Sequence, residues 1–144
     1  MSATFQDPAA RLRAADLRVT AARIAVLGVL DEHPHSTVSE VRDRAISHLG
    51  SLSVQATYDV LSALHERQLI RRIEPAGQTP RYEVADDNHH HLICRRCGAL
   101  RDVSCHIGHA PCLTPHDAAG YIVDEAEVIY WGTCPACIED GGEA

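Results

Sequence analysis

The stretch LIRRIEPAGQTPRYEV, from Leu69 to Val84, decides how the first half of the chain is read. Two short β-prone runs flank a Gly/Pro turn, which is the pattern of a hairpin. Upstream of it the chain reads helical. TAARIAVLGVLDEH opens at Thr20, a good N-cap, and carries Ile24, Leu27 and Leu30 at helical spacing. STVSEVRDRAISHLG sets Thr37 and Glu40 at capping-box spacing and stops at Gly50. SVQATYDVLSALHERQLI follows with Val60, Leu61 and Leu64 on one face, and a weaker helix covers Pro8 to Asp16. Three helices and a hairpin make a winged helix-turn-helix, with Val54–Arg67 as the recognition helix.

A domain of this kind either binds DNA or serves as a plain helical packing unit. Gln55, Thr57 and Tyr58, near the start of the third helix, favour DNA, because they can donate to phosphates or read base edges. Arg18, Thr20 and Arg23 cluster where a backbone contact would sit, and Arg71 and Arg72 open the wing.

Charge divides the chain in two. Residues 1–85 hold ten Arg against ten Asp/Glu, and residues 86–144 hold three Arg against ten, so the second part carries all of the −7. There is no lysine. A neutral part beside an acidic one permits DNA binding where arginines cluster, but the totals do not decide it.

Past ADDNHHH (Ala85–His91), with the hinge expected at about 84–88, the pattern turns to strands. HLIC is short and apolar, and YIVDEAEVIYWGTC sets β-branched and aromatic residues around an acidic patch. HIGHAPCLTPHDAAG reads as loop, and IEDGGEA as a frayed end. The expected organisation is therefore α+β, with domains at 1–85 and 86–144. Each would have a thin core, so a metal or oligomerisation is expected as support. No apolar run is long enough to span a membrane, and the first residues lack the apolar core of a secretory signal, so a cytoplasmic protein is expected.

In that setting the cysteines read as metal ligands or redox thiols before disulfides. Cys94-Arg-Arg-Cys97 and Cys134-Pro-Ala-Cys137 are two CxxC pairs. A two-residue spacer turns both sulfurs inward, so two such knuckles complete a tetrahedral four-cysteine site; a closed site of four thiolates favours structural zinc. His89 and His91 would share one face of a strand, with Asp102 in reach if the CxxC knuckle folds the chain back. Imidazole and carboxylate suit Fe(II), Mn(II) or Zn(II). The alternative is a surface histidine run that holds nothing. No H-E-x-x-H, G-x-S-x-G, phosphate loop or deaminase signature is present, so neither an enzyme nor a small-molecule substrate is expected.

RVTAAR (Arg18–Arg23), ATYDVLSAL (Ala56–Leu64), PRYEV (Pro80–Val84), HHHLICRRCG (His89–Gly98) and YWGTCPAC (Tyr130–Cys137) together resemble the ferric uptake regulator family over roughly residues 10–137. The resemblance implies a dimeric, metal-dependent repressor: a winged helix on double-stranded operator DNA, followed by a small α/β dimerisation domain. It also implies a regulatory Fe(II) or Mn(II) held at the positions of His35, Glu83, His89, His91 and Asp102. Aspartate at 102, instead of glutamate, resembles the peroxide-responsive, catalase-repressing branch, in which iron-bound histidine is oxidised and DNA released. The other implied readings are an iron- or zinc-level regulator and a thiol switch at Cys105 and Cys112, with His106 and His109 nearby. From outside that class, a zinc-stabilised redox enzyme would use the same two thiols.

Three positions depart from the family pattern. Asp16 stands where the family has glycine, and Asp59 where a basic residue follows the tyrosine. Glu125 or Glu127 replaces the histidine that precedes the last strand, a ligand of a third metal site in many members.

Overall fold

The structure, a computed structural model, describes residues 7–85, 89–104, 117–123 and 127–141, with only the backbone of His89 and Ser104. The chain divides into two compact units, Met1–Asp86 and Asp87–Ala144.

The first unit runs α1 (Pro8–Ala14), α2 (Ala21–Glu32), α3 (Val38–Leu49), α4 (Val54–Glu66), β1 (Ile70–Ile73) and β2 (Arg81–Val84). Local chemistry sets each helix start. The Thr20 hydroxyl accepts from the Arg23 amide at 3.1 Å, and Ser53 accepts from Ala56 at 3.0 Å. Thr37 and Glu40 form the complete capping box, at 3.3 and 2.8 Å. Gly50, with φ +80°, ends α3. Leu12, Val26, Leu27, Leu30, Val41, Leu61 and Leu64 make one core, which Ile70 and Tyr82 of the hairpin close. The Arg42 side chain donates to the Leu52 carbonyl at 2.7 Å and so fixes the turn between α3 and α4. β1 and β2 pair antiparallel from Ile70 opposite Val84 to Ile73 opposite Arg81, forming the wing.

Two helices end in the same way. After α4 the Gln68 amide donates to His65 and the Leu69 amide to Leu64, with Gln68 at φ +60°; this is a Schellman cap. After α1 the Asp16 amide donates to Arg13 and Leu17 to Leu12, with Asp16 at φ +58°. Position 16 thus takes the left-handed backbone that glycine adopts without a steric cost.

The second unit holds β3 (His89–Cys94), β4 (Leu100–Ser104), β5 (Ile129–Gly132) and α5 (Pro135–Glu139). The sheet order is β4-β3-β5, with β3 antiparallel to β4 and parallel to β5. Its apolar core is thin: among the described residues Ile93, Cys94 and Cys137 are the buried apolar side chains, joined by His90 and His91.

Two expectations change here. The strand expected over YIVDEAEVIYWGTC is confined, among the described residues, to Ile129–Gly132. Tyr121 closes a turn on the Ala118 carbonyl at 2.8 Å and is exposed, as are Ile122 and Val123. The tail expected to fray opens as a helical turn through Glu139, because Pro135 at its first position presets the helical φ. No helix among the described residues is long and apolar enough to cross a membrane.

The cap at Asp16 makes a testable statement. Asp16→Gly is expected to raise the stability of the chain by about 0.5–1 kcal/mol, and Asp16→Val to lower it by more, in urea denaturation followed by circular dichroism.

Candidate metal centres and the DNA-binding face

On the first unit the expected DNA face is only partly as read. Gln55 and Tyr58 are exposed at the start of α4, and Arg18 is exposed ahead of α2. Thr57 is a correction. It is fully buried, and its hydroxyl donates to the Ser53 carbonyl at 2.8 Å, so its helical position faces the core and not a groove. Thr20 is occupied as the α2 cap. The Arg23 guanidinium donates to the Arg18 carbonyl at 2.8 Å, which stiffens the segment bearing Arg18. The Gln55 amide donates to Asp59 at 2.9 Å, one helical turn on.

The same unit positions a histidine–carboxylate pair. His35 lies between α2 and α3 with φ +65°, a backbone state that an ordinary side chain holds only when its surroundings impose it. They do so here. The Tyr82 amide donates to the Ser36 carbonyl at 2.9 Å, and the Arg81 guanidinium donates to the His35 carbonyl at 2.9 Å. This docks the turn on β2, where His35 Nε2 lies 3.2 Å from a Glu83 carboxylate oxygen. Glu83 is 2% exposed.

In the second unit β3 and β4 form a hairpin around the first CxxC. Gly98, φ +76°, closes the knuckle with its amide on the Cys94 carbonyl at 2.9 Å. The second CxxC opens α5. The Sγ atoms of Cys94 and Cys137 are 3.8 Å apart, and those of Cys97 and Cys134 are 3.7 Å apart. A tetrahedron with Zn–S bonds of about 2.3 Å requires sulfurs about 3.8 Å apart, so the four thiols fit zinc. The Cys134 amide donates to Cys94 Sγ at 3.3 Å. That bond, aided by the Cys97 amide, pulls the Cys94 thiol down to about 6. Cys137 is pushed up to about 12, first by its contact with the Cys134 thiol and then by burial. Four sulfurs so close ionise together only around a cation. Arg96 donates to the Cys137 carbonyl at 3.1 Å, and Arg95 stacks over Trp131 at 5.0 Å, tying the knuckle to β5 and α5.

At the other end of β3, His91 stands opposite Asp102 in the register of β4. Its Nε2 lies 3.4 Å from the Asp102 carboxylate, and its Nδ1 lies 3.8 Å from Glu127. His90 faces the opposite side and accepts from the Val128 amide at 3.2 Å through Nδ1, which gives it a structural place. Glu127 as a partner of His91 is not legible in the sequence, since nothing in the spacing shows that β5 runs along β3. The His89 side chain lies outside the described residues, as do Cys105, His106, His109, Cys112 and Glu125.

A family model described as the ferric uptake regulator family matches residues 14–111. The chain belongs to the ferric uptake regulator family. It is 50% identical over 135 residues to the transcriptional regulator FurA of Mycobacterium tuberculosis, covering 93% of this chain and 92% of FurA. It is 25% identical over 143 residues to the peroxide-responsive repressor PerR of Staphylococcus epidermidis, covering 95% of this chain and 92% of PerR. The crystal structure of the ferric uptake regulator of Helicobacter pylori, described as having three functional metal-binding sites, shares the fold. Its TM-score is 0.68 at 18% identity, covering 90% of this chain and 87% of that one. As a member of the ferric uptake regulator family, the chain is a metal-dependent, DNA-binding transcriptional repressor.

The thiol geometry sets two expectations. Cys94→Ser or Cys137→Ser is expected to lose zinc and with it the folded second unit, read by metal analysis and amide NMR. Zinc affinity is expected to rise with pH, since protons compete for the sulfurs. At pH 7.5 zinc binding should release fewer than four protons, because Cys94, at about 6, is already ionised while Cys137, at about 12, must surrender its proton. Calorimetry in buffers of different ionisation enthalpy measures that number.

Proposed function

We propose that this ferric uptake regulator family member is a homodimeric repressor of double-stranded operator DNA, switched by one Fe(II) or Mn(II) ion. His35, Glu83, His89, His91 and Asp102 would hold the ion. The observation that carries the reading is the His91–Asp102 pair, 3.4 Å apart across a hairpin and matched by His35–Glu83 at 3.2 Å in the other unit. Nitrogen and carboxylate donors suit Fe(II) and Mn(II), while the four sulfurs suit a closed structural zinc.

The mechanism follows from where the donors sit. An ion with ligands from both units would fix the angle between them. In a dimer that angle sets the spacing of the two recognition helices, and so whether both fit successive turns of the major groove. Metal and DNA then strengthen each other by the same free energy, reciprocal by linkage. Gln55 and Tyr58 on α4 are the exposed residues offered to base edges or phosphates, with Arg18 and Arg23 on the backbone side.

Peroxide sensing is supported by the aspartate at 102, which resembles the peroxide-responsive branch, and by the distant relationship to PerR. Bound Fe(II) would supply the peroxide chemistry. His35, His89 and His91 are the imidazoles that would take one oxygen of hydrogen peroxide, the other leaving as water. Regulation by metal level alone is the second reading, favoured by the ferric-uptake family model itself.

Operator binding by the Fe(II) and Mn(II) forms, before and after stoichiometric peroxide, separates these readings when combined with peptide mass analysis. Release from DNA of the iron form only, with about 16 Da added to His35, His89 or His91, is the expected result. Release of both forms with loss of two hydrogens between Cys105 and Cys112 would move the sensor to the thiols. No response in either form leaves regulation by metal level.

A further inference from the structure

We propose that Glu127 is the positioning residue for His91: it accepts the Nδ1 proton and so holds Nε2 ready for the regulatory metal. The inference rests on the metal site proposed above and concerns a residue outside the ligand set proposed there for the regulatory ion. A neutral imidazole that binds a metal through one nitrogen carries its proton on the other, and a carboxylate facing that N–H fixes both the tautomer and the ring plane.

His91 has a carboxylate at each nitrogen. Nε2 faces Asp102 at 3.4 Å, and Nδ1 faces Glu127 at 3.8 Å. The two acids are not equivalent. Asp102 is His91's register partner on β4, on the strand that extends the CxxC hairpin. Glu127 comes from the opposite edge, two residues before β5, which pairs with β3.

The backbone holds Glu127 in place. The His91 amide donates to the Val128 carbonyl at 3.2 Å, and the Val128 amide donates to His90 Nδ1 at 3.2 Å. These two bonds fasten the residue after Glu127 to His91 and His90 of β3. The Glu127 side chain is half exposed, whereas His91 is 2% exposed, so the carboxylate reaches the buried ring from the rim and keeps its charge hydrated.

At 3.8 Å the contact is electrostatic and longer than a hydrogen bond. A cation on Nε2 would draw electron density from the ring and make the Nδ1 proton a better donor toward Glu127. Glu127 then fixes the ring plane and removes the entropy of choosing a tautomer. Its effect is on affinity for the regulatory ion and not on the zinc held by the four cysteines.

The test uses the full chain with its zinc retained and Mn(II) as the probe, titrated by the electron paramagnetic resonance signal of the free ion. Glu127→Ala is expected to weaken Mn(II) binding about tenfold to a hundredfold with zinc content unchanged. Glu127→Gln, whose amide oxygen still accepts the proton, is expected to lose less. Nitrogen-15 spectra of the manganese-free protein should show His91 protonated at Nδ1 in the wild type and a mixture of tautomers in Glu127→Ala. Wild-type Mn(II) affinity in Glu127→Ala, or an unchanged tautomer, would overturn the proposal. Equal losses for alanine and glutamine would also overturn it, by making Glu127 a direct ligand. Asp102→Ala and His35→Ala separate the two levels of inference. If both keep wild-type affinity, the regulatory site itself is wrong; if they bind weakly while Glu127→Ala does not, only the positioning role fails.

Discussion

The second unit depends on one constraint: four cysteine sulfurs that must share one small volume. β3 is its central strand, with one end entering the sulfur cluster at Cys94 and the other carrying His89 and His91. At about 3.3 Å per residue, His91 stands only about 10 Å along the strand from Cys94. Fixing the sulfurs therefore fixes the frame in which the histidines are presented. Ile93 is the one fully buried large aliphatic side chain among the unit's described residues, too little apolar surface to order a three-stranded sheet alone. A structural cation at the cysteines makes up that deficit and preorganises the nitrogen and oxygen donors a short way along the same strand.

The first unit solves a different problem with ordinary means. Its core is a helical cluster capped by standard devices, and its unusual feature is His35 in the left-handed region. The Ser36–Tyr82 bridge and the Arg81 bond to the His35 carbonyl hold that conformation. His35, like Asp16 and Gln68 at the helix ends, holds a left-handed backbone, and the same contacts tie its turn to the wing strand bearing Glu83. On α4 Asp59 occupies the Gln55 amide, so one amide hydrogen of this exposed glutamine is already committed.

Much of this was legible in the residues. The N-caps at Thr20 and Thr37, the Gly50 stop and the wing turn are local signals, decided by hydrogen bonds within a few residues, and they stand in the structure. The paired CxxC motifs were equally plain, because a two-residue spacer constrains both sulfurs whatever the fold around them. The CxxC knuckle also implies the return of the chain from Cys97 that brings Asp102 to His91, and β3 and β4 pair in that register. Thr57 has a residue type that suits DNA, while its place on the α4 face, packed inward, makes it a core residue. YIVDEAEVIYWGTC reads as longer strand than exists, since β propensity does not show where a turn interrupts it.

The sequence by itself determined the elements, the sulfur cluster and the kinship with metal-dependent repressors, because each rests on contacts between near neighbours or on motifs of fixed spacing. Only the tertiary structure decided what lies beside these groups: Tyr82 and Arg81 against the His35 turn, Val128 on His90 and His91, and Glu127 at His91 Nδ1. Those neighbours are set by strand order and register. A parallel pairing such as β3 with β5 joins residues separated by a long crossover, and no local pattern in the chain specifies which side chain will arrive opposite which.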